Sequence, residues 1–194
     1  MMEKVRKGFK KVLVLLNVGN IINMSFVKKY QPDAVMYVWQ GGMLGGLGTA
    51  DVLTGKVSPC GKLPDTIAQD ISDYPSDKNF GNPEQNIYQE DIFVGYRYFE
   101  SFARDKVLYP FGFGLSYSNF EITCKNAVNS LEKQKIDCQI LVKNTGKSEG
   151  KEVVQLYVSC PQGKLGKPAR ELAAFIKTEL LQPGQEELVE LSFN

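Results

Sequence analysis

The sequence has no histidine, and this absence excludes more chemistry than any residue that is present. Without histidine there is no Ser-His-Asp or Cys-His nucleophile system and no imidazole acid or base. A zinc site is not expected either, because the four cysteines form no Cys-x-x-Cys pair. We therefore expect no metal, no cofactor and four reduced, mostly buried thiols, at Cys60, Cys124, Cys138 and Cys160.

Long apolar runs and an excess of one charge are missing as well. Runs such as Val12–Leu16 are far shorter than the roughly 18 residues of a membrane helix, and the net charge is +1. We therefore expect neither a membrane nor a nucleic acid as partner. The basic start, Met1–Lys11, has no apolar segment of the kind that a secretory signal needs. Together with the lack of a disulfide pattern, this favours a cytoplasmic location.

The first part of the chain shows the pattern of an α/β layer. Two continuous apolar runs, Val12–Leu16 and Ala34–Trp39, are typical of parallel strands that are covered on both faces. Helical stretches at Ser25–Tyr30 and Thr49–Leu53 alternate with them. Lys62–Ile67 is a predicted third strand, placed at an edge because Pro64 cannot donate a ladder hydrogen bond. Strand-helix-strand order of this kind predicts a mostly parallel sheet with helices.

The second part of the chain, from about residue 117, alternates apolar and polar residues with a period of two. This period is typical of strands with one buried face. The five predicted strands are Phe120–Cys124, Ile136–Val142, Val154–Val158, Leu172–Ile176 and Val189–Phe193. Short strands separated by turns predict an all-β sandwich of the immunoglobulin or fibronectin type III kind. The fold class is therefore α/β followed by all-β.

A glycine-rich stretch, Gly41–Gly48, follows the second predicted strand and precedes a helix. Dinucleotide-binding loops occupy the same place, but the glycine spacing is wrong for them. No acidic residue ends a following strand where a ribose would be held. The favoured interpretation is a tight strand-to-helix turn in which one backbone segment approaches another closely.

The stretch Tyr88–Phe99 mixes carboxylates, aromatic rings and one arginine. Such a mixture suits sugars, because rings stack on C–H faces and acids accept hydrogen bonds from hydroxyl groups. The same mixture is also typical of a docking seam, a surface along which two parts of a protein pack together. We favour the docking seam over a sugar site. Glu90 and Asp91 are adjacent and would point to opposite faces of a strand, so they are a poor catalytic pair.

Three ordered motifs resemble the C-terminal part of family 3 glycoside hydrolases. Trp39–Pro64 resembles the family stretch "GGxxGGxAxADVLxGxxNPSGKLPxT", with Ser58 and Cys60 in place of the commoner Asn and Ser. Tyr88–Arg97 resembles "Y-x-E-G-I-x-V-G-Y-R", with Asp91 in place of the Gly. Tyr109–Tyr117 resembles "Y-P-F-G-x-G-L-S-Y", which leads into the fibronectin type III-like domain of the family.

The resemblance implies three ranges along the chain. Residues 1–75 would be the second part of the α/β sandwich domain, and residues 76–116 would be an aromatic-rich ordered arm. Residues 117–194 would be a fibronectin type III-like domain, either whole or truncated. The family's catalytic Asp lies on a (β/α)8 barrel and its acid/base Glu lies earlier in the sandwich domain. Neither has a counterpart here, so the resemblance implies no catalytic residue in this chain. Some short stretches of this sequence are similar to family members in which the sandwich domain precedes the barrel. The position of the barrel relative to this chain is therefore left open.

The resemblance also implies partners and site residues. The parent enzyme would hydrolyse β-glucosides or related oligosaccharides with retention, and its missing barrel would be the main partner of this chain. Trp39 and Gln40 are candidates for substrate binding, because ligands bind at the carboxyl ends of strands in such layers. Tyr88, Glu90, Tyr96 and Arg97 are candidates for domain docking. Apolar surface left uncovered in the α/β half predicts a homodimer.

Two other classes of function remain open from the sequence alone. One is a stand-alone carbohydrate-binding or adhesion module, which would bind a glycan without any barrel. The other is a nucleotide-binding α/β protein, which NAD or ATP would stabilise. The spacing of the glycines argues against the second.

Overall fold

The computed structural model describes residues 1–130 and 134–194, and within these residues it has four α-helices and nine strands. The helices are α1 (Met2–Gly8), α2 (Ser25–Tyr30), α3 (Gly45–Leu53) and α4 (Tyr96–Phe102). The strands are β1 (Leu13–Leu16), β2 (Ala34–Tyr37), β3 (Ile67–Ala68), β4 (Val107–Tyr109), β5 (Phe120–Ser130), β6 (Lys135–Asn144), β7 (Val153–Val158), β8 (Glu171–Lys177) and β9 (Glu186–Phe193). None of the helices in this described part is long and apolar enough to span a membrane.

The described chain forms two compact units. Unit 1 comprises Met1–Leu53 and Asp65–Phe111, and unit 2 comprises Thr54–Pro64 and Gly112–Asn194. The last passage from unit 1 to unit 2, after Phe111, lies close to the change of pattern near residue 117. The short stretch Thr54–Pro64 belongs to unit 2, although the sequence grouped it with residues 1–75.

Unit 1 is built on the predicted parallel pair of strands. β1 and β2 run parallel, in register from Leu13 opposite Ala34 to Leu16 opposite Tyr37, with α2 in the crossover between them. Asp33, just before β2, accepts hydrogen bonds from the Val12 amide at 2.9 Å, Lys11 Nζ at 2.9 Å and Arg6 Nη1 at 2.7 Å. The amide hydrogen bond, followed by the two cations, holds the pKa of this carboxyl group well below its ordinary value. The start of both strands is therefore fixed by one ionised side chain.

The predicted third strand, Lys62–Ile67, is wrong as a single parallel element. Leu63 instead exchanges backbone hydrogen bonds of 2.8 Å with Phe113 and Gly112 inside unit 2. Beyond Pro64, β3 pairs antiparallel with β4 inside unit 1. The reason is local, since Pro64 has no N–H and breaks the ladder at the point where the chain passes from unit 2 to unit 1.

Unit 2 contains the predicted sandwich. β5, β6 and β9 form an antiparallel sheet in that order, and β7 and β8 form a second antiparallel pair. Six of the core residues of unit 2 are alternating residues of the predicted strands, and the seventh, Leu181, lies outside those strands; the six are Cys138, Ile140, Val142, Val154, Val189 and Leu191. Ile122 of β5 faces the same way, opposite Val142, yet it is 49% exposed. β5 is the outer strand of its sheet, so its side chains receive less cover from the facing pair.

The turn at Asn144–Gly146 is held by a fully buried side chain, that of Asn144. The amide nitrogen of Asn144 donates to the carbonyls of Ser148 and Leu181, both at 2.8 Å. Its amide oxygen accepts from Ser118 Oγ at 2.6 Å and from the Gly146 amide at 3.0 Å. One side chain thus satisfies four hydrogen bonds, as burial of a polar group requires.

The expectation about the thiols is half right. All four cysteines are free, but only Cys138 is buried. Burial, the largest cause, raises the pKa of the Cys138 thiol. Cys124 and Cys160 are exposed and Cys60 is half-buried, because they lie on an outer strand and in loops, where a small apolar residue gains little cover.

Candidate functional site

The two predicted substrate-binding residues lie at the carboxyl end of the parallel pair in unit 1. Trp39 follows β2 with a φ of +56°, a left-handed backbone conformation that turns its ring back toward Tyr37. The two ring centroids are 4.8 Å apart. Gln40 lies beside the loop that follows β1, so that a Cβ built on Gly19 would be 2.9 Å from Gln40 Nε2. The chain therefore brings both residues to the same sheet end, and their binding role stays a prediction.

A tyrosine and a carboxylate add to this sheet end, and the sequence analysis did not single them out. The Tyr37 hydroxyl accepts a hydrogen bond from the Ile22 amide at 3.1 Å. Burial raises the pKa of Tyr37, against the effect of that hydrogen bond, and the charge of Asp65 raises it further. Asp65 raises the pKa of Tyr74 in the same sense, although burial is again the larger cause. Asp65 is therefore close to both phenols, which only the tertiary fold could reveal.

The glycine-rich stretch before α3 is a close backbone approach, as predicted. A Cβ on Gly41 would lie 2.6 Å from the Cα of Gly45, the first residue of α3. Gly42 has a φ of +60°, which glycine adopts without cost. Gly41 and Gly42 are therefore explained by the turn itself, whereas Gly45, Gly46 and Gly48 lie within α3, with open space at the position of a Cβ.

The aromatic stretch of unit 1 is a turn followed by a helix, and no strand forms there. The Phe93 amide donates to the Glu90 carbonyl at 2.8 Å, and Asp91 within this turn has a φ of +48°. Gly95, with φ +60° and ψ −127°, precedes α4 in a conformation that only glycine adopts readily. The argument that Glu90 and Asp91 point to opposite faces of a strand therefore does not apply.

The four predicted docking residues have different surroundings. Tyr96 stacks on Phe111 at 4.6 Å between centroids, and the Arg97 guanidinium lies 5.5 Å from the centre of the Tyr96 ring. These two join α4 to the end of unit 1. Tyr88 is 78% exposed, and Glu90 lines a cavity of the same unit. Their role in docking stays a prediction.

Within the described residues, no group of three or more Cys, Asp or Glu side chains is arranged to hold a metal ion. The carboxyl groups of Asp33 and Asp70 are both held in the ionised form by local hydrogen bonds. For Asp70 the Ser72 amide is the largest cause of a lowered pKa, and Asp70 thereby caps a short 3-10 turn. Neither group has the raised pKa that a general acid needs.

Comparison with known proteins assigns the chain to a family. Residues 1–117 match the model of the glycosyl hydrolase family 3 C-terminal domain, and residues 152–194 match that of the fibronectin type III-like domain. The chain belongs to glycoside hydrolase family 3. The resemblance of its three motifs is thereby confirmed, as is the fold class of an α/β domain followed by a fibronectin type III-like sandwich.

Curated relatives of this family 3 chain include β-glucosidases. It is 60% identical to a β-glucosidase of Ruminococcus albus over 96% of its own length and 19% of the relative's. It is 45% identical to β-glucosidase A of Butyrivibrio fibrisolvens, over 99% of its own length and 25% of the relative's. The chain thus spans about a fifth to a quarter of the curated relatives that it matches.

Solved structures extend the comparison. A β-glucosidase from Paenibacillus barengoltzii matches 99% of this family 3 chain with a TM-score of 0.95 and 52% identity, over 22% of its own length. β-Glucosidase 3B from Thermotoga neapolitana, solved in complex with glucose, matches 99% with a TM-score of 0.87 and 42% identity, over 27% of its length. The chain therefore has the fold of a C-terminal part of such enzymes.

Proposed function

We propose that this chain is a non-catalytic part of a β-glucoside hydrolase and has no glycosidase activity by itself. The observation that carries the proposal is its match to about a fifth of the length of β-glucosidases, in the C-terminal domain of family 3. The activity belongs to the whole enzyme, to which this chain contributes a scaffold.

The chemistry of retaining hydrolysis supports this assignment. It needs two carboxyl groups about 5 Å apart, of which one attacks the anomeric carbon and the other, with a raised pKa, protonates the leaving oxygen. Asp33 and Asp70 have lowered pKa values, and Asp33 is ion-paired at the base of β1 and β2. Glu90 and Asp91 are neighbours in one turn, so neither can face the other across a sugar ring.

In the whole enzyme, the carboxyl end of β1 and β2 forms one wall of the glucoside-binding cleft. The half-buried Trp39 ring offers a face to a sugar, and the Gln40 amide offers a donor and an acceptor. The barrel domain supplies the attacking Asp and covers the exposed Tyr88, and the earlier part of the sandwich domain supplies the acid/base Glu. Glu90, Tyr96 and Arg97 belong to the same docking segment.

Alone, the chain forms a homodimer through unit 1. The side chains of Leu13 and Leu15 on β1 and of Leu44 and Leu47 at α3 are all exposed, and the sheet of unit 1 that holds β1 has only β2 beside it in the described residues. An uncovered strand edge with apolar neighbours favours self-association. Light scattering tests this directly: Leu15→Lys should convert a dimer to a monomer, and a wild-type monomer at all concentrations contradicts it.

The test of the main proposal is an assay of the purified chain on an aryl β-glucoside. No turnover above that of buffer is expected, because the carboxyl groups of Asp33, Asp70, Glu90 and Asp91 provide no matched pair of acids. Turnover that co-purifies with the chain and disappears in Asp65→Asn or Glu90→Gln would overturn the proposal. An unrelated β-glucosidase, assayed in parallel, controls for substrate and conditions.

A further inference from the structure

Unit 1 contains a cavity of about 320 Å³ below the aromatic stretch. Its walls include four aromatic rings, from Tyr74, Phe93, Tyr98 and Phe102, and three charged side chains, Asp73, Lys78 and Glu90. The volume is at the lower end of the range for small-molecule sites and suits a ligand with a single ring.

The aromatic side of the cavity is a fixed surface. The Phe93 and Phe102 rings meet edge to face, with centroids 4.8 Å apart, and Tyr98 lies 5.8 Å from Phe102. Phe102 is nevertheless 63% exposed. The Phe102 ring is thus held in place by its neighbours while one of its faces stays uncovered. The C–H face of a sugar ring stacks on aromatic faces of this kind.

The polar side of the cavity divides into engaged and available groups. Gln89 Oε1 accepts a hydrogen bond from Asn79 at 2.6 Å, and the Asp73 carboxylate accepts from the Asp70 amide at 3.1 Å and pairs with Lys106 at 3.5 Å. The two other charged side chains of the cavity, Glu90 and Lys78, are not engaged in this way.

Across residues 1–130 and 134–194, neither the half-buried Glu90 carboxylate nor the Lys78 ammonium has a side-chain hydrogen bond or an ion pair. Both line the cavity, yet no ion pair joins them. The Glu90 carboxylate can therefore accept, and the Lys78 ammonium can donate, a hydrogen bond to a ligand without giving up a side-chain partner.

The charges narrow the class of ligand. Lys78 would repel a cation, and Glu90 would repel an anion. A neutral ligand that offers hydroxyl hydrogens to Glu90, hydroxyl oxygens to Lys78 and an apolar face to Phe102 fits all three. We propose that this cavity binds one neutral pyranose unit, with Glu90 and Lys78 holding its hydroxyl groups and Phe102 stacking on its ring. The choice of a β-glucoside among pyranoses rests on the proposed function.

The experiment titrates methyl β-glucoside into the full 194-residue chain and follows binding by saturation-transfer NMR and calorimetry. Glu90→Gln should weaken binding about tenfold, because it removes a charged acceptor while keeping the shape of the side chain. Phe102→Ala should weaken binding to a similar extent. Phe175→Ala, at an equally exposed phenylalanine of β8 in unit 2, is the matched control and should leave affinity unchanged. Urea unfolding followed by the fluorescence of Trp39 shows whether each variant is folded.

The outcomes separate this inference from the proposed function. Binding that Glu90→Gln and Phe102→Ala weaken, with no turnover of an aryl glucoside, supports both. No binding, or equal binding by folded variants and wild type, overturns the cavity assignment and leaves the proposed function standing. Competition by choline or benzoate would also overturn it, because a charged ligand would then occupy the cavity. Turnover together with specific binding would overturn the proposed function alone.

Discussion

Unit 2 buries a large apolar core between its own strands, whereas the buried cluster around Phe99 in unit 1 is small. The core of unit 2 joins residues from both sheets, among them Val142 on β6 and Val154 on β7. On the parallel sheet of unit 1, by contrast, Leu13 and Leu15 are exposed. The same chain thus contains one unit with a large core and one with a small core. Four matched pairs of substitutions test this contrast.

The largest effect is expected in the core of unit 2. Leu181 is 2% exposed, and Leu181→Ala should lower the free energy of unfolding by about 2–5 kcal/mol, because it leaves a cavity. Ile71→Ala in unit 1, at a residue that is 67% exposed, should cost well under 1 kcal/mol by comparison. Urea unfolding followed by circular dichroism measures both. Equal losses would remove the contrast between the units.

A half-buried ion pair of unit 2 is expected to come next. Lys62 Nζ lies 2.7 Å from Glu152 Oε1 and donates to the Gly114 carbonyl at 3.0 Å, and both charged side chains are about one-sixth exposed. Lys62→Met should destabilise unit 2 by about 2 kcal/mol, because it leaves the Glu152 carboxylate without its cation.

The control for the ion pair is Lys7→Met, which removes the exposed pair between Lys7 and Glu3 on α1. It should change stability by less than about 0.5 kcal/mol. If the two substitutions had the same effect in thermal unfolding, Lys62 would be no more than a surface residue.

Asp33 makes the stability of unit 1 depend on pH. Its pKa is lower in the folded chain than the unfolded value of about 3.9. Its contribution is therefore complete above about pH 4 and is lost as the pH falls through the folded value. Asp33→Asn should be less stable than wild type at pH 7 and should lose less further stability below pH 4.

The fluorescence of Trp39, the single tryptophan, reports this pH dependence for unit 1. Asp77→Asn, at an exposed carboxylate in a 3-10 turn, is the control. Parallel acid profiles for wild type and Asp33→Asn would contradict the prediction.

The smallest effect is expected at Asp91, where the family motif has glycine. Its φ of +48° is a left-handed conformation that costs less with glycine than with aspartate. Asp91→Gly should therefore raise the stability of unit 1 slightly, by about 0.5 kcal/mol. Asp105→Gly, in a 3-10 turn without that conformation, should instead be destabilising. Thermal unfolding distinguishes the two signs.

Local pattern predicted the elements well, because each depends on neighbours in sequence. The period-two alternation around Ile140 and Val189 predicted the sandwich strands, and the apolar run Val12–Leu16 predicted the parallel strand β1. The pairing of Leu63 with Phe113 could not be predicted, since it joins residues far apart in sequence. The exposure of Ile122 follows from its place at a sheet edge, which alternation alone does not reveal.

The same distinction holds for the candidate sites. The place of Trp39 and Gln40 after a strand could be predicted from the general rule for α/β layers. The proximity of Asp65 to Tyr37 could not, because Asp65 reaches that sheet end only through the fold. The density of rings between Tyr88 and Phe102 was a usable signal, but the cavity that some of them line appears only in three dimensions.

The path of the chain between the units determines how the protein can be divided into separately expressed pieces. Because Thr54–Pro64 packs with unit 2 between two stretches of unit 1, the backbone changes unit after Leu53, after Pro64 and after Phe111. No single cut releases either unit whole. A gene fragment that starts at Gly112 would encode a sandwich without Lys62 and without the backbone partner of Phe113. Transplanting the sandwich into another enzyme therefore calls for two grafted pieces, and a shuffled library with one crossover point near residue 112 should yield mostly misfolded chimaeras.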